Sequence, residues 1–233
     1  MKAFLLAAGL GTRLHPITYK TPKCLVYICG RPLLSWWIDL FEKHQISEVL
    51  INLHHLPDKV SKFLKDYPTS IKFTLFYEDK LLGSAGTIRA NKKFIENESD
   101  FFICYADNLT NYNLTTFYRF HKNKKSSFSL ALFRTDIPKM KGIVEIDDNH
   151  LVTSFEEKPN KPKTNLANAG IYLANNCILD LIPNQPYADI GFDLLPKLIN
   201  KMYGWECNDY LLDIGTLEHL KKANKEWHKI INN

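Results

Sequence analysis

Apolar residues in the first hundred positions alternate between two patterns. Residues 2–7 (KAFLLA), 48–53 (EVLINL), 73–77 and 101–105 (FFICY) are short, nearly continuous hydrophobic runs of strand length. Between them, residues 33–44 place Leu34, Trp37, Ile38 and Phe41 on one helical face, and residues 56–66 and 86–94 repeat helical spacing. Strand and helix in alternation predict a parallel sheet with helices on both faces, a three-layer α/β/α architecture of the α/β class. Beyond residue 110 the pattern changes. Strands are predicted over 127–134, 142–147, 152–156 and 168–175, an antiparallel or mixed extension that makes the whole a mostly parallel mixed sheet. Helices are predicted over 194–202 and 216–227. The lysine- and proline-rich EEKPNKPKTN reads as a loop.

Composition narrows the class. With 233 residues and 45% hydrophobic content the chain fits one large domain, 1–233, better than two small ones. The net charge of +5 comes from 30 Lys and Arg interspersed with 25 Asp and Glu, a distribution suited to small anionic ligands, and no basic tract points to nucleic acid. The apolar run in MKAFLLAAGLGTR is short and cut by glycines, so it reads as a first core strand rather than an export signal, and no later run is long enough to enter a membrane. Five cysteines without a C-x-x-C pair predict reduced thiols and a cytoplasmic protein.

The first candidate chemistry lies where the first strand ends. In LLAAGLGTRLHPIT the chain gives up side chains at Ala7, Ala8, Gly9 and Gly11 and then places Thr12 and Arg13 at the exit. Glycine-rich turns beyond the carboxyl end of a strand let backbone N–H groups approach phosphate oxygens. A bare G-x-G is equally an ordinary turn. Arg13, followed by Lys23 in TPKCL, adds two cations to one loop system. The stretch is not a P-loop, which needs G-x-x-x-x-G-K-[ST], nor a dinucleotide fingerprint, which needs a glycine where this chain has Leu14.

The long stretch LAAGLGTRLHPITYKTPKCLVYICGRPLL resembles the signature of the sugar-1-phosphate nucleotidylyltransferases, G-x-G-T-R followed at a distance by P-K. Further segments are similar to family motifs in family order: LLGSAGTI, YADN, FEEKP, NAGIY and LLDIGT. The resemblance implies a Rossmann-like nucleotide-diphospho-sugar transferase fold, with residues 1–110 as the nucleotide half and 111–233 as the sugar-phosphate half. It implies that a sugar 1-phosphate attacks the α-phosphorus of a nucleoside triphosphate and releases pyrophosphate, with Mg²⁺ as cofactor. The chain ends soon after the D-I-G-T segment, so the β-helix or acyltransferase domain of longer relatives is expected to be absent.

On this resemblance Arg13, Lys23, Asp107, Lys158 and Asp213 are the catalytic candidates, with Asp107 and Asp213 as the metal pair. Leu6, Ala8, Gly9, Gly11, Thr12, Glu78, Gly83, Gly86 and Thr87 are assigned to the nucleotide, and Gly142, Glu157, Asn168 and Gly170 to the sugar. The reaction gathers several negative charges, so positioning and charge neutralisation carry it rather than a protein nucleophile. Each residue type also has a plain structural role: surface cation, helix-capping aspartate, or turn glycine and asparagine. Two departures stand out. Ala106 precedes Asp107 where relatives commonly carry glycine, its methyl narrowing the room for phosphates, and Tyr27 stands where they often carry proline.

The pattern is most similar to guanylyltransferases acting on mannose 1-phosphate or D-glycero-D-manno-heptose 1-phosphate, with GTP favoured. Uridylyl-, cytidylyl- and thymidylyltransferases share the same phosphate and metal residues and remain open. So does a non-catalytic nucleotide-sugar-binding subunit, although such a protein has no need to keep all of Arg13, Lys23, Asp107 and Asp213. A glycosyltransferase would show a D-x-D motif, which the sequence lacks. An apolar helix face is compatible with a homodimer.

Overall fold

The computed structural model describes residues 1–231. In chain order its strands and helices begin with β1 (Lys2–Leu6), β2 (Tyr27–Ile28), β3 (Arg31–Pro32), α1 (Leu33–Lys43), β4 (Glu48–Leu53), α2 (Pro57–Asp66), β5 (Lys72–Tyr77) and α3 (Ser84–Ala90). There follow β6 (Phe101–Tyr105), β7 (Asn108–Thr110), α4 (Leu114–Asn123), β8 (Phe128–Arg134), β9 (Gly142–Ile146), β10 (Val152–Glu157), β11 (Leu166–Ala174), β12 (Tyr203–Glu206), β13 (Leu211–Asp213) and α5 (Leu217–Ile231). The chain forms two compact units: Met1–Leu81 with Tyr105–Tyr112 and the segment from Asp209 onward, and Leu82–Cys104 with Asn113–Asn208.

The first unit holds the parallel ladder that the alternating pattern predicts. β4 pairs with β1 and β5, both parallel, and α1 and α2 are the crossovers. β1 and β4 are almost entirely buried, which is why they read as continuous apolar runs, whereas β5 alternates with solvent exposure. The short strands β7 and β13 pair antiparallel, Asn108 opposite Asp213. Trp37 of α1 donates its indole N–H to the Asn108 carbonyl at 2.8 Å and so fixes this ribbon to the helix layer. Leu14, Val26, Ile28, Leu33, Leu109, Ile214, Ala223 and Trp227 form one apolar cluster beneath the turn after β1, the β7–β13 ribbon and α5.

The second unit is built on β11, which pairs antiparallel with β6, β8 and β9, while β9 pairs with β10 and β8 runs parallel to β12. Helix α4 is not among the elements the sequence predicts: Leu114, Phe117 and His121 bury one face at helical spacing, but Thr115, Thr116, Phe117, Tyr118 and Phe120 favour strands. Its start is set by Asn113, whose Oδ1 accepts from Thr116 N–H at 3.0 Å. The helix predicted over 194–202 is absent as such: the chain makes a π-turn at Ile190–Leu194 and a 3-10 turn at Leu195–Leu198 before entering β12. Pro196 has no N–H to give to an α-helical ladder. The helix predicted over 86–94 starts earlier, at Ser84, and breaks at Asn91 into a 3-10 turn, Lys92–Ile95. No helix among the described residues is long and apolar enough to cross a membrane.

One buried polar network anchors the entry to β6. Asp100 accepts from Lys122 Nζ at 2.9 Å and lies 3.2 Å from His121 Nε2, and His121 Nδ1 meets Ser129 Oγ at 2.9 Å. Burial lowers the His121 pKa and outweighs the opposing pull of Asp100. Burial alone would raise the Asp100 carboxyl, but the hydrogen bonds from Lys122 and His121 hold it below the usual range. Both folded-state pKa values are depressed, so the unfolded chain takes up protons first as pH falls, and stability declines on acidification. The His121 contribution begins near the unfolded histidine value of about 6.5 and that of Asp100 below about 4. Denaturant midpoints measured between pH 7 and pH 5 should fall in the wild type and fall less steeply in His121→Gln; parallel pH profiles would remove this role.

Candidate active site

The chain leaves β1 at the buried Leu6, whose carbonyl accepts from Ala106 N–H at 3.0 Å. Ala106 is itself buried, so its methyl packs into the core. The Ala7 N–H donates to Asn52 Oδ1 at 2.7 Å, Ala8 is buried, and Gly9 and Leu10 are exposed. Gly11 then adopts φ +65° and starts the 3-10 turn Thr12–Leu14. A Cβ at Gly11 would press on Thr18 Cγ2 at 3.0 Å and Lys23 Cβ at 3.2 Å, so the glycine is required both by conformation and by the close approach of the lysine segment. Its carbonyl is fixed by Leu14 N–H at 2.9 Å and Thr18 Oγ1 at 2.7 Å. At Gly9 a Cβ would meet no protein atom, so packing within the fold does not demand a glycine there. Thr12 and Arg13 leave the turn exposed.

Lys23, which opens a separate 3-10 turn at Lys23–Leu25, points into a pair of acids. Its Nζ lies 2.5 Å from Asp107 Oδ2 and 3.7 Å from Asp213 Oδ1, with only 12% of its side chain exposed. The acids are far apart in sequence and adjacent in space because they sit at the same end of the β7–β13 ribbon, where Ile214 N–H donates to the Asp107 carbonyl at 2.8 Å. A Cβ at Gly215 would lie 2.9 Å from Arg13 Nη2 and 3.0 Å from Asp213 Oδ1, which puts the second cation beside the same acid. Thr216 Oγ1 accepts from His219 N–H at 3.1 Å and starts α5, and His219 Nδ1 meets the Asp213 carbonyl at 2.7 Å. Two carboxylates are the hard oxygen donors that Mg²⁺ accepts, with waters and phosphate oxygens completing its shell. Among the described residues no cluster of three or more His, Cys, Asp or Glu side chains is arranged to hold a metal alone. Asp107 and Asp213 supply two such oxygen donors side by side.

Glu78, just after β5, is 5% exposed. Asn52, at the end of β4 and 4% exposed, donates to Glu78 Oε1 at 2.8 Å while accepting from Ala7 N–H, and His54 Nδ1 meets the Glu78 carbonyl at 2.7 Å. One buried amide thus links the turn after β1 to the carboxylate after β5. Sequence reasoning missed Asn52. Its one signal was an amide inside the otherwise apolar run VLINL.

In the second unit, Gly83 precedes α3, Gly86 N–H donates to the Ala188 carbonyl at 3.0 Å, and the buried Thr87 turns its hydroxyl onto the Gly83 carbonyl at 3.1 Å. Glu157, at the end of β10, fits a slot without side chains on two sides: a Cβ at Gly142 would lie 2.6 Å from its Oε2, and one at Gly191 2.8 Å from it. Burial raises the Glu157 pKa and Asp189 raises it further, against the opposing charges of Lys158 and Lys141. Lys158 is exposed, has φ +50°, and carries its ammonium 5.9 Å from the Phe192 ring centre. Asn168 accepts from Gly170 N–H at 2.9 Å and donates to Tyr172 Oη at 2.7 Å, holding an irregularity in the β11–β8 pairing across which Gly170 takes φ +69°. Asp189 and Ser84, which the sequence did not single out, join this region by hydrogen bonds of 2.7–3.2 Å.

The sequence matches the family described as Nucleotidyl transferase over residues 2–230. It is 32% identical over 222 residues to mannose-1-phosphate guanylyltransferase 1 of Arabidopsis thaliana, covering 92% of this chain and 61% of that protein. It is 30% identical over 234 residues to the UTP–glucose-1-phosphate uridylyltransferase of Synechocystis, covering 92% and 60%. The chain therefore spans about three fifths of the length of these curated relatives. Among solved structures it is similar to HddC from Yersinia pseudotuberculosis complexed with GMP-PN, with a TM-score of 0.82 and 25% identity over 97% of this chain and 99% of that one. From the first residue of β1 to Ile230 in α5, this chain belongs to the nucleotidyl transferase family.

Proposed function

We propose that the protein joins a nucleoside triphosphate to a sugar 1-phosphate, giving a nucleoside diphosphate sugar and pyrophosphate. The observation that carries this is the Lys23 ammonium between Asp107 and Asp213 beside the glycine turn that ends on Arg13. In the reaction an ionised phosphate oxygen of the sugar 1-phosphate forms a bond to the α-phosphorus. The bond from that phosphorus to the α–β bridging oxygen breaks, and pyrophosphate leaves with the electron pair. The attacking oxygen carries no proton, so no general base is needed. What the site must supply is order and positive charge.

Leu6, Ala8, Gly9, Gly11 and Thr12 line the triphosphate's path, and Arg13 binds the β- and γ-phosphates and the departing pyrophosphate with a charge that never titrates. Lys23 turns from the acids to the α-phosphate. Asp107 and Asp213 hold Mg²⁺, which supplies positive charge to the phosphates when bound. Gly83, Gly86 and Thr87 border the nucleoside, and Glu78, oriented by Asn52, accepts N–H groups of the base. On the acceptor side Lys158 takes the sugar phosphate, Glu157 accepts sugar hydroxyl protons, and Gly142, Asn168 and Gly170 shape the wall beside it.

GTP is the favoured donor, and mannose 1-phosphate or D-glycero-D-manno-heptose 1-phosphate the favoured acceptor. This finer choice is supported by the buried carboxylate of Glu78, a partner for the N1–H and N2–H of guanine, and by the guanylyltransferase relatives. The test is a matrix assay: ATP, GTP, CTP, UTP and dTTP, each against a panel of sugar 1-phosphates with Mg²⁺, read as pyrophosphate release. Turnover is expected and should be highest with GTP; no turnover with any pair would overturn the proposal.

Arg13→Ala should lower kcat/KM by about 100-fold or more, the size expected for removing a preorganised donor to developing charge, and near-normal turnover would take that role from Arg13. Asp107→Asn and Asp213→Asn should each abolish Mg²⁺-dependent turnover while melting within a few degrees of the wild type. An unchanged response in an Mg²⁺ titration would dismiss the pair.

A further inference from the structure

The loop between residues 188 and 193 does two jobs by two different means. Its backbone is stapled to α3: Ala188 N–H donates to the Leu82 carbonyl at 2.8 Å, and the Ala188 carbonyl accepts from Ala85 and Gly86 N–H at 2.9 and 3.0 Å. Gly83, with φ +77°, leaves no room for a Cβ against that carbonyl. This staple requires no side chain from the loop. The next turn, Ile190–Leu194, is held differently. Asp189 Oδ1 accepts from Gly191 and Phe192 N–H at 2.8 and 3.2 Å, and its Oδ2 accepts from Ser84 Oγ at 2.9 Å. Ser84 Oγ in turn accepts from Ile190 N–H at 2.7 Å. The turn so fixed carries Gly191, whose bare backbone borders the Glu157 carboxylate, and Phe192, whose ring faces the Lys158 ammonium.

We propose that Asp189 is a positioning residue for the acceptor: with Ser84 it clamps the Gly191–Phe192 turn against Glu157 and Lys158, so that the sugar phosphate meets these two side chains already in place. The inference rests on the proposed function, which gives Glu157 and Lys158 to the sugar phosphate. Because the Ala188 backbone staple is independent of the Asp189 side chain, losing the clamp should weaken the acceptor and spare the nucleotide. Asparagine keeps an Oδ1 that can cap Gly191 and Phe192, since Asn and Asp cap turns of this kind about equally well. It lacks the charge, and the groups facing Glu157 are Lys158, Lys141 and Asp189. Removing the negative one lowers the Glu157 pKa.

The experiment measures both KM values, kcat and the melting temperature for wild type, Asp189→Ala, Asp189→Asn and Ser84→Ala with GTP and the best sugar 1-phosphate from the matrix. Asp189→Ala should raise the KM for sugar phosphate about tenfold while the KM for nucleotide stays within about twofold, the scale of a lost cap. Asp189→Asn should recover most of that loss and move the acid limb of kcat/KM for sugar phosphate to lower pH. Ser84→Ala should show the same split at smaller size, and it carries the test if Asp189→Ala does not fold. An unchanged KM for sugar phosphate, an equal rise in both KM values, or an asparagine variant as impaired as the alanine one overturns the role of Asp189 and leaves the proposed function standing. Absence of turnover in the wild type overturns the function and this inference together.

Discussion

Two aspartates brought to one end of a two-stranded ribbon repel each other unless a cation stands between them. At 4 Å and an effective dielectric near 20, two unit charges interact by about 4 kcal/mol, enough to matter in a domain whose net stability is about 5–15 kcal/mol. Lys23 resolves the conflict here, with its ammonium against Asp107 and within ion-pair reach of Asp213. Much of the first unit serves that arrangement. Gly11 has no Cβ, which lets the lysine segment approach the turn. Trp37 ties the ribbon to α1, and the apolar cluster around Leu14, Leu109 and Ile214 supports all three pieces from below. Under the proposed function the ammonium turns from the two acids to a phosphate only as Mg²⁺ takes its place between them, because the two carboxylates would otherwise be left facing each other uncompensated.

The sequence made the parallel part of the fold legible because burial on both faces writes itself as continuous apolar runs. KAFLL and EVLINL are such runs, and their strands were expected within a residue of where they lie. Elements whose identity depends on tertiary partners were not legible. β7 and β13 are three residues each, too short to show a period, and they exist because they pair with each other. Helix α4 is rich in β-branched and aromatic residues, which mask the helical spacing of its buried Leu114, Phe117 and His121 and its capping asparagine. At 194–202 an apolar run reads as helical, but the chain makes a π-turn at Ile190–Leu194, capped by Asp189, and a 3-10 turn at Leu195–Leu198 instead.

The candidate site divides along the same line. Arg13, Lys23, Asp107 and Asp213 were visible as motif residues, and the structure adds that Lys23 touches both acids. Asn52 and Asp189 were not visible, because neither has any meaning apart from its partners. Asn52 matters through the Ala7 N–H and Glu78, which are 45 and 26 residues away. Asp189 matters through Ser84, 105 residues away. A residue that orients another leaves no spacing signature of its own.

That division bears on how such a protein selects its substrates. Charges that meet phosphates recognise every nucleoside triphosphate alike, and proteins of similar sequence are named for guanylyl and for uridylyl transfer. Discrimination has to come from positions where the wrong partner leaves a buried polar group unpaired, and a site built to hydrogen-bond a given donor can reject an analogue lacking it by about 10⁴-fold. Under the proposed function Glu78, nearly inaccessible to solvent and held by Asn52, is the carboxylate that meets the N–H groups of the base. Under the same proposal Glu157 meets the sugar, in a slot that Gly142 and Gly191 leave free of side chains beside the turn held by Asp189. Under the proposed function the phosphate machinery sets the reaction, and these two oriented carboxylates set its substrates.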